Sequence, residues 1–545
     1  MNRFFRPMIL IPAWVLLSGI ALALVFLPAW QGAPVRALPR PVPVGDQEVV
    51  FLNQATSTAA WERFVAALRS LHDDPDSGIE IVDEQQAFPS ATTAVPEIAV
   101  RQRGRTGRVW FRWYKLTGDI DTAQWVQALM GRQPAPLAII GGSTSDRARD
   151  LARDLHSLGD QERAPLLLIT TATADQVDLD YEVVDLMSVY PGRSFRFCFT
   201  NQQMAEAVID FLWTQPEVRP DVEPVYLVHW DDDPFSVDLK ERFAAALSDE
   251  RFSGWLQQRR RLRHIGREWS DLAARALTAG VAPGLCPDMC LAALAAQTPW
   301  WSVRVGHSIG GYARPNRAES AGAAKVMEGV AMHPNQRRPL LILPAGTQPT
   351  RRFLHALFRL SPDDAARFVV ATGDFDFNTI YRDRMVAWPI QDLPVDLVFF
   401  SHRNPVDPIG FVPSLPDDAI PDLTSKSTTN TMDLLLYRDI AETVIHAAYQ
   451  EGRLLDRADT LRKRLREARL PDGQPRFDES GNLRSGSGEF VVWLRPIRNR
   501  ELNLPRAGLQ VWNRSTSPLG QRVWQRVPVD GLDELIIDYV RQPAE

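Results

Sequence analysis

Residues 137–158 read "LAIIGGSTSDRARDLARDLHSL". The unbroken apolar run ends in paired glycines, continues through Ser143, Thr144 and Ser145, and passes into a helical pattern from Asp146 to Leu158. An apolar run without polar alternation suits a strand covered on both faces, as in a parallel sheet. The glycines let backbone approach a ligand, and free N–H groups where a helix begins favour an anionic group such as a carboxylate. One stretch therefore predicts a buried strand, a ligand-sized turn and a covering helix.

The same order recurs along the chain. "VWFRWY" at 109–114 reads as a strand and Thr122–Met130 as a helix. "PLLLIT" (165–170), "FRFCFT" (195–200), "VYLVHW" (225–230), "PLLILP" (339–344), "RFVVAT" (367–372) and "VDLVFF" (395–400) are further strands. Helical patterns at Ala59–Leu71, Gln202–Trp213, Ser236–Leu247 and Met432–Tyr449 lie between and around them. Strands alternating with helices mean parallel sheets with helices on both faces, so the class is α/β. With 545 residues, two such units are expected.

Composition narrows the function. A net charge of −6 leaves no excess cation to neutralise phosphates and argues against nucleic-acid binding. The run Arg259-Arg260-Arg261-Leu262-Arg263 is the local exception and reads as a solvated helix face. At the N-terminus, Arg3 and Arg6 precede an uncharged, mostly apolar stretch from Met8 to Trp30. It is long enough to cross a hydrocarbon core of about 30 Å, and too long for an ordinary signal-peptide core. Val35-Arg36-Ala37 would pass as a cleavage site, but an uncleaved anchor fits better. Either way the body is expected outside the cytoplasm of a bacterial cell. No Cys follows the stretch to carry a lipid. Prolines 34, 39, 41 and 43 then describe a stiff spacer. Three cysteines are too few for a disulfide scaffold. Cys286 and Cys290 in "CPDMC" suit a local disulfide or two buried thiols better than zinc, since no second ligand pair lies nearby.

In open α/β sheets ligands sit beyond the carboxyl ends of strands. Two loops there are rich in hydroxyls: Ser143-Thr144-Ser145, and Thr170-Thr171-Ala172-Thr173 after "LLLI". As single loops they would be helix caps; as a pair on successive strands they suggest a ligand cleft. "TGDFDFNTIYRDR" at 372–384 places Asp374, Asp376 and Asn378 at the first positions of a calcium loop. Thr379 and Met385 then stand where glycine and glutamate are required, so no metal is expected. A strand-end carboxylate able to meet a cationic ligand group is the better reading. Asp231-Asp232-Asp233 reads as a solvated turn, with Phe235 able to close over a ligand.

In order and register, these pieces resemble the type I periplasmic binding proteins, in particular the branch that binds leucine, isoleucine and valine. The resemblance is carried by "LAIIGGSTS", "LLLITTATAD", "SFRFCFTNQQMAEAVIDFL", "VYLVHWDDDPFSVDLKERFAAAL" and "FDESGN", from about Val109 to Pro496. It implies a two-lobed α/β fold and an extracytoplasmic, membrane-tethered receptor for a small polar, amino-acid-like solute, with no cofactor. Its implied partner is an ABC-type permease or a membrane sensor. Ser143, Ser145, Thr171 and Thr173 would hold a ligand carboxylate, Asp374 or Asp376 its ammonium, and Phe235 would cover it. Phe235 lacks the hydroxyl, and Gly346 stands where the family often has an aromatic side chain. The segment from about Gly284 to Ser320 is extra length. Including anchor (1–30) and spacer (31–47), the expected division is lobe 1 over 48–200, lobe 2 over 201–375, a return to lobe 1 over 376–480, and a β-rich end over 481–545.

Two other readings stay open. Gly306-His307-Ser308-Ile309-Gly310 fits the G-x-S-x-G elbow, and Ser308, Asp374 and His402 follow one another in the order of an α/β-hydrolase triad. Against this, "WWSVRV" is a charged strand and Pro315 falls where the elbow's helix should run. The third reading is a sensing or assembly domain without a transport partner.

Overall fold

The computed structural model describes residues 37–91, 93–159, 164–221, 225–231, 233–248, 300–305, 315–375, 395–405, 431–470, 473–484, 488–498, 505–516, 522–528 and 535–538. The apolar stretch 8–30, the arginine run 259–263, Cys286, Cys290, Ser308 and Asp376 lie outside these residues. No helix among the described residues is long and apolar enough to cross a membrane.

Lobe 1 contains β1 (Gln47–Gln54), β2 (Ile79–Asp83), β3 (Glu97–Gln102), β4 (Val109–Leu116), β5 (Ala138–Gly141), β6 (Leu166–Ile169) and β9 (Ser194–Arg196). Their order in the sheet is β2-β3-β4-β1-β5-β6-β9. From β4 to β9 every pairing is parallel, and β3 and β2 close the edge antiparallel. A small hairpin, β7 (Gln176–Leu179) with β8 (Glu182–Asp185), stands apart from this sheet.

Alternation along β1 explains why both faces must be covered. Val49 and Phe51 enter one apolar cluster with the Thr58–Asp73, Thr431–Ala447 and Ala458–Glu467 helices. Val50 and Leu52 enter another with the Thr122–Met130 and Ser145–Ser157 helices. All four side chains are at most 3% exposed, so neither face could be left to water without losing roughly 25 cal/mol per Å² of apolar area.

Lobe 2 repeats the scheme with β10 (Val225–Trp230), β11 (Trp300–Val305), β12 (Leu340–Ile342), β13 (Val369–Asp374) and β14 (Asp396–Ser401). The order β11-β10-β12-β13-β14 is again parallel throughout. Numbered by sequence within each lobe, both parallel sheets run 2-1-3-4-5, a doubly wound order with its switch point between strands 1 and 3. Helix starts follow local chemistry: Thr200 with Gln203, and Asn316 with Glu319, form reciprocal capping boxes at the Asn201–Thr214 and Arg317–Met332 helices. The two-lobed α/β arrangement is the one the sequence predicts.

Three details differ from the sequence reading. The chain remains in lobe 2 through β14 and returns to lobe 1 only with the Thr431–Ala447 helix, later than residue 376. The C-terminal β segment is no separate unit. β17 (Phe490–Arg498), β18 (Pro505–Thr516) and β19 (Arg522–Val527) extend lobe 2's sheet antiparallel from β14, and β20 (Leu535–Asp538) pairs with β18. "WWSVRV" is not surplus length but β11, the second strand of lobe 2. Its Arg304 is tolerated because β11 is an edge strand where the side chain stays 60% exposed, 3.4 Å from Asp231.

Residues 37–46, within the proline-rich segment, lie against lobe 1. The Arg40 amide donates to the Tyr114 hydroxyl at 3.1 Å, and Arg112 Nη1 donates to the carbonyls of Arg40 and Pro41 at 3.2 and 3.1 Å. Arg112 and Arg132 both pair with Glu48, which is fully buried. Burial and this carboxylate push the Tyr114 phenol up.

After β9 the sheet edge is continued by a loop, where the Arg196 amide donates to the Gly481 carbonyl at 2.9 Å. Gly481 has φ +98°, and a Cβ there would lie 2.1 Å from the Ser194 carbonyl oxygen. Gly481→Ala should lower stability by about 2–4 kcal/mol through strain and displacement of this edge. Urea unfolding checks this, and a change inside half a kcal/mol (roughly the scatter of neutral surface changes) would show that the contact yields freely.

Candidate functional site

The carboxyl ends of the two parallel sheets meet around the first crossing between lobes, Phe197–Asn201. On the lobe 1 side, β5 is followed by Gly142, whose φ of +68° and a would-be Cβ 2.8 Å from Ala148 Cβ demand glycine. The two hydroxyl loops brace each other. Thr171 Oγ1 donates to the Ser143 carbonyl at 2.9 Å, and the Ala174 amide donates to Ser145 Oγ at 3.3 Å. Ser143 and Thr171 are half-buried, whereas Ser145 and Thr173 are 5% and 3% exposed. The Thr173 carbonyl accepts from the Asn201 amide at 2.8 Å and from Arg196 Nη1 at 3.1 Å, and Arg196 Nη2 reaches the Ala174 carbonyl at 2.9 Å. Ser145 and Thr173 thus hold the loops in shape, leaving Ser143 and Thr171 nearer the solvent side.

Lobe 2 meets these loops through the Pro234–Ser248 helix. Its Asp238 is 4% exposed and accepts from the amides of Asp175 (2.9 Å) and Gln176 (3.2 Å) and from Asn201 Nδ2 (2.8 Å). Arg242 lies 3.4 Å from Asp175 and 3.3 Å from Asp238. The Phe235 carbonyl accepts from Asn201 Nδ2 at 3.3 Å, so Asn201 ties Thr173 and Phe235 to one point. The Phe235 ring packs on lobe 2's own core.

Opposite, β13 ends in Asp374. Its Oδ2 lies 3.3 Å from His402 Nε2, while Oδ1 is buried with no hydrogen-bond partner among the described residues. His402 Nδ1 accepts the Phe199 amide at 3.2 Å, and the ring stacks on Phe199 with 8° between planes. With Nδ1 accepting, the ring proton sits on Nε2, toward Asp374. The Nδ1 lone pair, which a triad base in this tautomer would use, is thereby held by a backbone amide, while Nε2 faces Asp374 without a hydrogen bond among the described residues. Among the described residues the helix that follows β11 starts at Arg317, and Pro315 precedes its Asn316 cap rather than interrupting it. Cys198 is buried beside these groups, and burial pushes its thiol up to about 12, so it stays protonated.

The sequence reading missed three residues. Arg147, in the first turn of the Ser145–Ser157 helix, donates from Nη1 to Ser143 Oγ at 3.3 Å and brings a cation to the first hydroxyl loop. Asn201 was hidden as a helix start, yet its Oδ1 is a second buried acceptor without a partner. His229 lies 3.0 Å from Asp231 and 3.4 Å from Ser302, and burial lowers its pKa to about 4, keeping it neutral. Among the described residues no group of three His, Cys, Asp or Glu could hold a metal.

The 2-1-3-4-5 order in both lobes is a doubly wound α/β order. No known family profile matches the sequence, and no curated protein matches it. Among solved structures, the chain is similar to an ABC transporter substrate-binding protein from Desulfitobacterium hafniense at 13% identity and a TM-score of 0.46, covering 83% of this chain and 99% of that one. It is similar to a leucine-binding protein from Thermotoga maritima at 12% identity and a TM-score of 0.43, covering 89% and 100%. A fatty acid ABC transporter substrate-binding protein from Thermomonospora curvata overlaps at 9% identity and a TM-score of 0.44, covering 84% and 90%.

Asp238 gives a titration test of the inter-lobe contact. Burial, and then the Asp175 charge, raise its carboxyl above the ordinary 3.8. The folded protein therefore holds this proton to higher pH than the unfolded chain does, and deprotonation costs stability as pH rises from near 3.8 through the raised folded value. The stability advantage of wild type over Asp238→Asn should narrow across that interval in urea unfolding. An advantage that widens with pH would reverse the assignment.

Proposed function

We propose that the protein is an extracytoplasmic solute-binding protein that holds a small zwitterionic, amino-acid-like ligand between its lobes. The observation that carries this reading is Asp374 Oδ1, a buried carboxylate oxygen at a strand end with no hydrogen-bond partner among the described residues. Buried polar groups are almost always hydrogen-bonded, and a ligand ammonium would complete this one with a charge-assisted bond. Arg147, Ser143 and Thr171 supply a cation and hydroxyls for the ligand carboxylate, with Phe235 closing the lobe 2 side. Asp376, next to the strand end, is retained as an alternative ammonium partner. The apolar residues 8–30 would tether the body to the outer face of a bacterial membrane, where the partner is an ABC-type permease or a membrane sensor.

The Phe199 amide on His402 Nδ1 supports binding over catalysis, because it occupies the lone pair a triad base would use. A thermal-shift and calorimetric screen of the full chain against the free L-amino acids should give at least one ligand that raises Tm as RT ln(1 + [L]/Kd). Asp374→Asn should then weaken that ligand by about 2 kcal/mol, roughly thirtyfold in Kd, with Arg147→Gln weakening it less because Arg147 is half-buried. No hit among amino acids, or a hit indifferent to Asp374→Asn, would defeat the zwitterion reading. Labelling by a fluorophosphonate that disappears in Ser308→Ala would instead establish the hydrolase.

A further inference from the structure

A second site lies away from the inter-lobe cleft. The Thr431–Ala447 and Ala458–Glu467 helices, the loop through Arg476 and Arg484, and Arg403 just after β14 enclose a cavity of about 710 Å³. That is the size of small-molecule sites, and it lies beside Arg403, just after β14, and Arg484 and Gly488, just before β17. Its lining sets Arg403, Arg464, Arg469, Arg476 and Arg484 against Asp439, Glu442 and Glu467, a net excess of cation in a chain of net charge −6.

The arginines divide into two sets. Arg403 and Arg476 both pair with Asp439, and Arg476 also lies over the rings of Phe197 and Phe477 at 5.4 and 5.8 Å, so these two are built into the wall. Arg464, Arg469 and Arg484 are exposed at their tips and lightly held. Arg464 meets Glu467 at 3.4 Å one helical turn away, Arg469 donates to the Gly473 carbonyl at 3.5 Å, and Arg484 Nε donates to the Phe477 carbonyl at 3.3 Å. An exposed pair of the Arg464–Glu467 kind contributes at most about 1 kcal/mol. Each of these guanidinium groups thus keeps most of its fork of donors for another acceptor. Guanidinium groups favour planar, bidentate anions, carboxylate or phosphate, and the cavity is too large for one such ion.

We infer that this cavity binds a small polyanion carrying two or more phosphate or carboxylate groups, held between Arg464, Arg469 and Arg484. The site is independent of the cleft: it shares no residue with Asp374, Ser143 or Arg147.

Thermal shift and calorimetry on the full chain test it, with sodium tripolyphosphate and sodium citrate as probes at one ionic strength set by chloride. At least one probe should stabilise the protein saturably, and the preferred probe separates phosphate from carboxylate chemistry. Arg464→Gln/Arg484→Gln should raise the apparent Kd at least about tenfold, Arg484→Lys should weaken it in part, and exposed Arg337→Gln on lobe 2 should leave it unchanged. Asp374→Asn should also leave it unchanged, which keeps the outcome separate from the cleft ligand. Both arginines are at the surface, so the double variant should keep the Tm of the probe-free protein. Absence of saturable stabilisation by either probe would overturn the site, as would stabilisation that survives in the double variant or falls equally in Arg337→Gln.

Discussion

Asp238 is the joint between the lobes. Its carboxylate is withdrawn from water, and three N–H donors satisfy it, two of them backbone amides of the other lobe. Desolvation works against the charged form here, so the contact holds only while those amides stay in place. Residues 173–176 are therefore fixed from both sides, by Asp238 and Asn201 and by Arg196 beneath. Ser145 and Thr171, which lean on that loop, inherit their positions from it. The geometry of the lobe 1 half of the cleft is thus set by a lobe 2 side chain.

A related economy appears at Asp374. One oxygen faces His402 and helps to orient a ring that braces the second crossing against Phe199, while the other is left open. A carboxylate with one oxygen beside His402 and the other without a partner among the described residues is fixed in direction before any ligand arrives. Preorganisation of this kind lowers the ordering cost of binding. The arginine-lined cavity is organised differently, with donors on exposed side chains beside Arg403 and Arg476, which pair with Asp439.

Much of this was legible in the sequence because buried parallel strands leave a strong signal. The runs at 137–142, 165–170 and 225–230 have no alternation, and their helices carry apolar residues at helical spacing, so class and lobe order follow from local pattern alone. β11 was harder, since an edge strand accepts Arg304 on its open face and so breaks the apolar signature. The attachment of the C-terminal strands to lobe 2 is a long-range pairing that no local pattern encodes. Within the site, Asp374 and the hydroxyl loops were visible because strand ends mark ligand positions in this topology. Arg147 was not, because one more arginine in a charged helix looks like solvated surface until Ser143 is beside it. Ser145 and Thr173 matched the pattern of ligand contacts, but the protein's own amides and carbonyls occupy much of their surroundings.

The docking of residues 37–46 on lobe 1 changes what the proline-rich segment can do. Free along its whole length, it would let the body drift over a wide hemisphere. With Arg40 and Pro41 gripped by Arg112, and Arg40 also by Arg132, only residues 31–36 separate the docked chain from the proposed anchor. Six residues reach roughly 20 Å at full extension. Were residues 8–30 to anchor the chain as proposed, so short a leash would keep one side of the body toward the bilayer, and a membrane partner would approach the cleft from a direction set by the grip on Arg40.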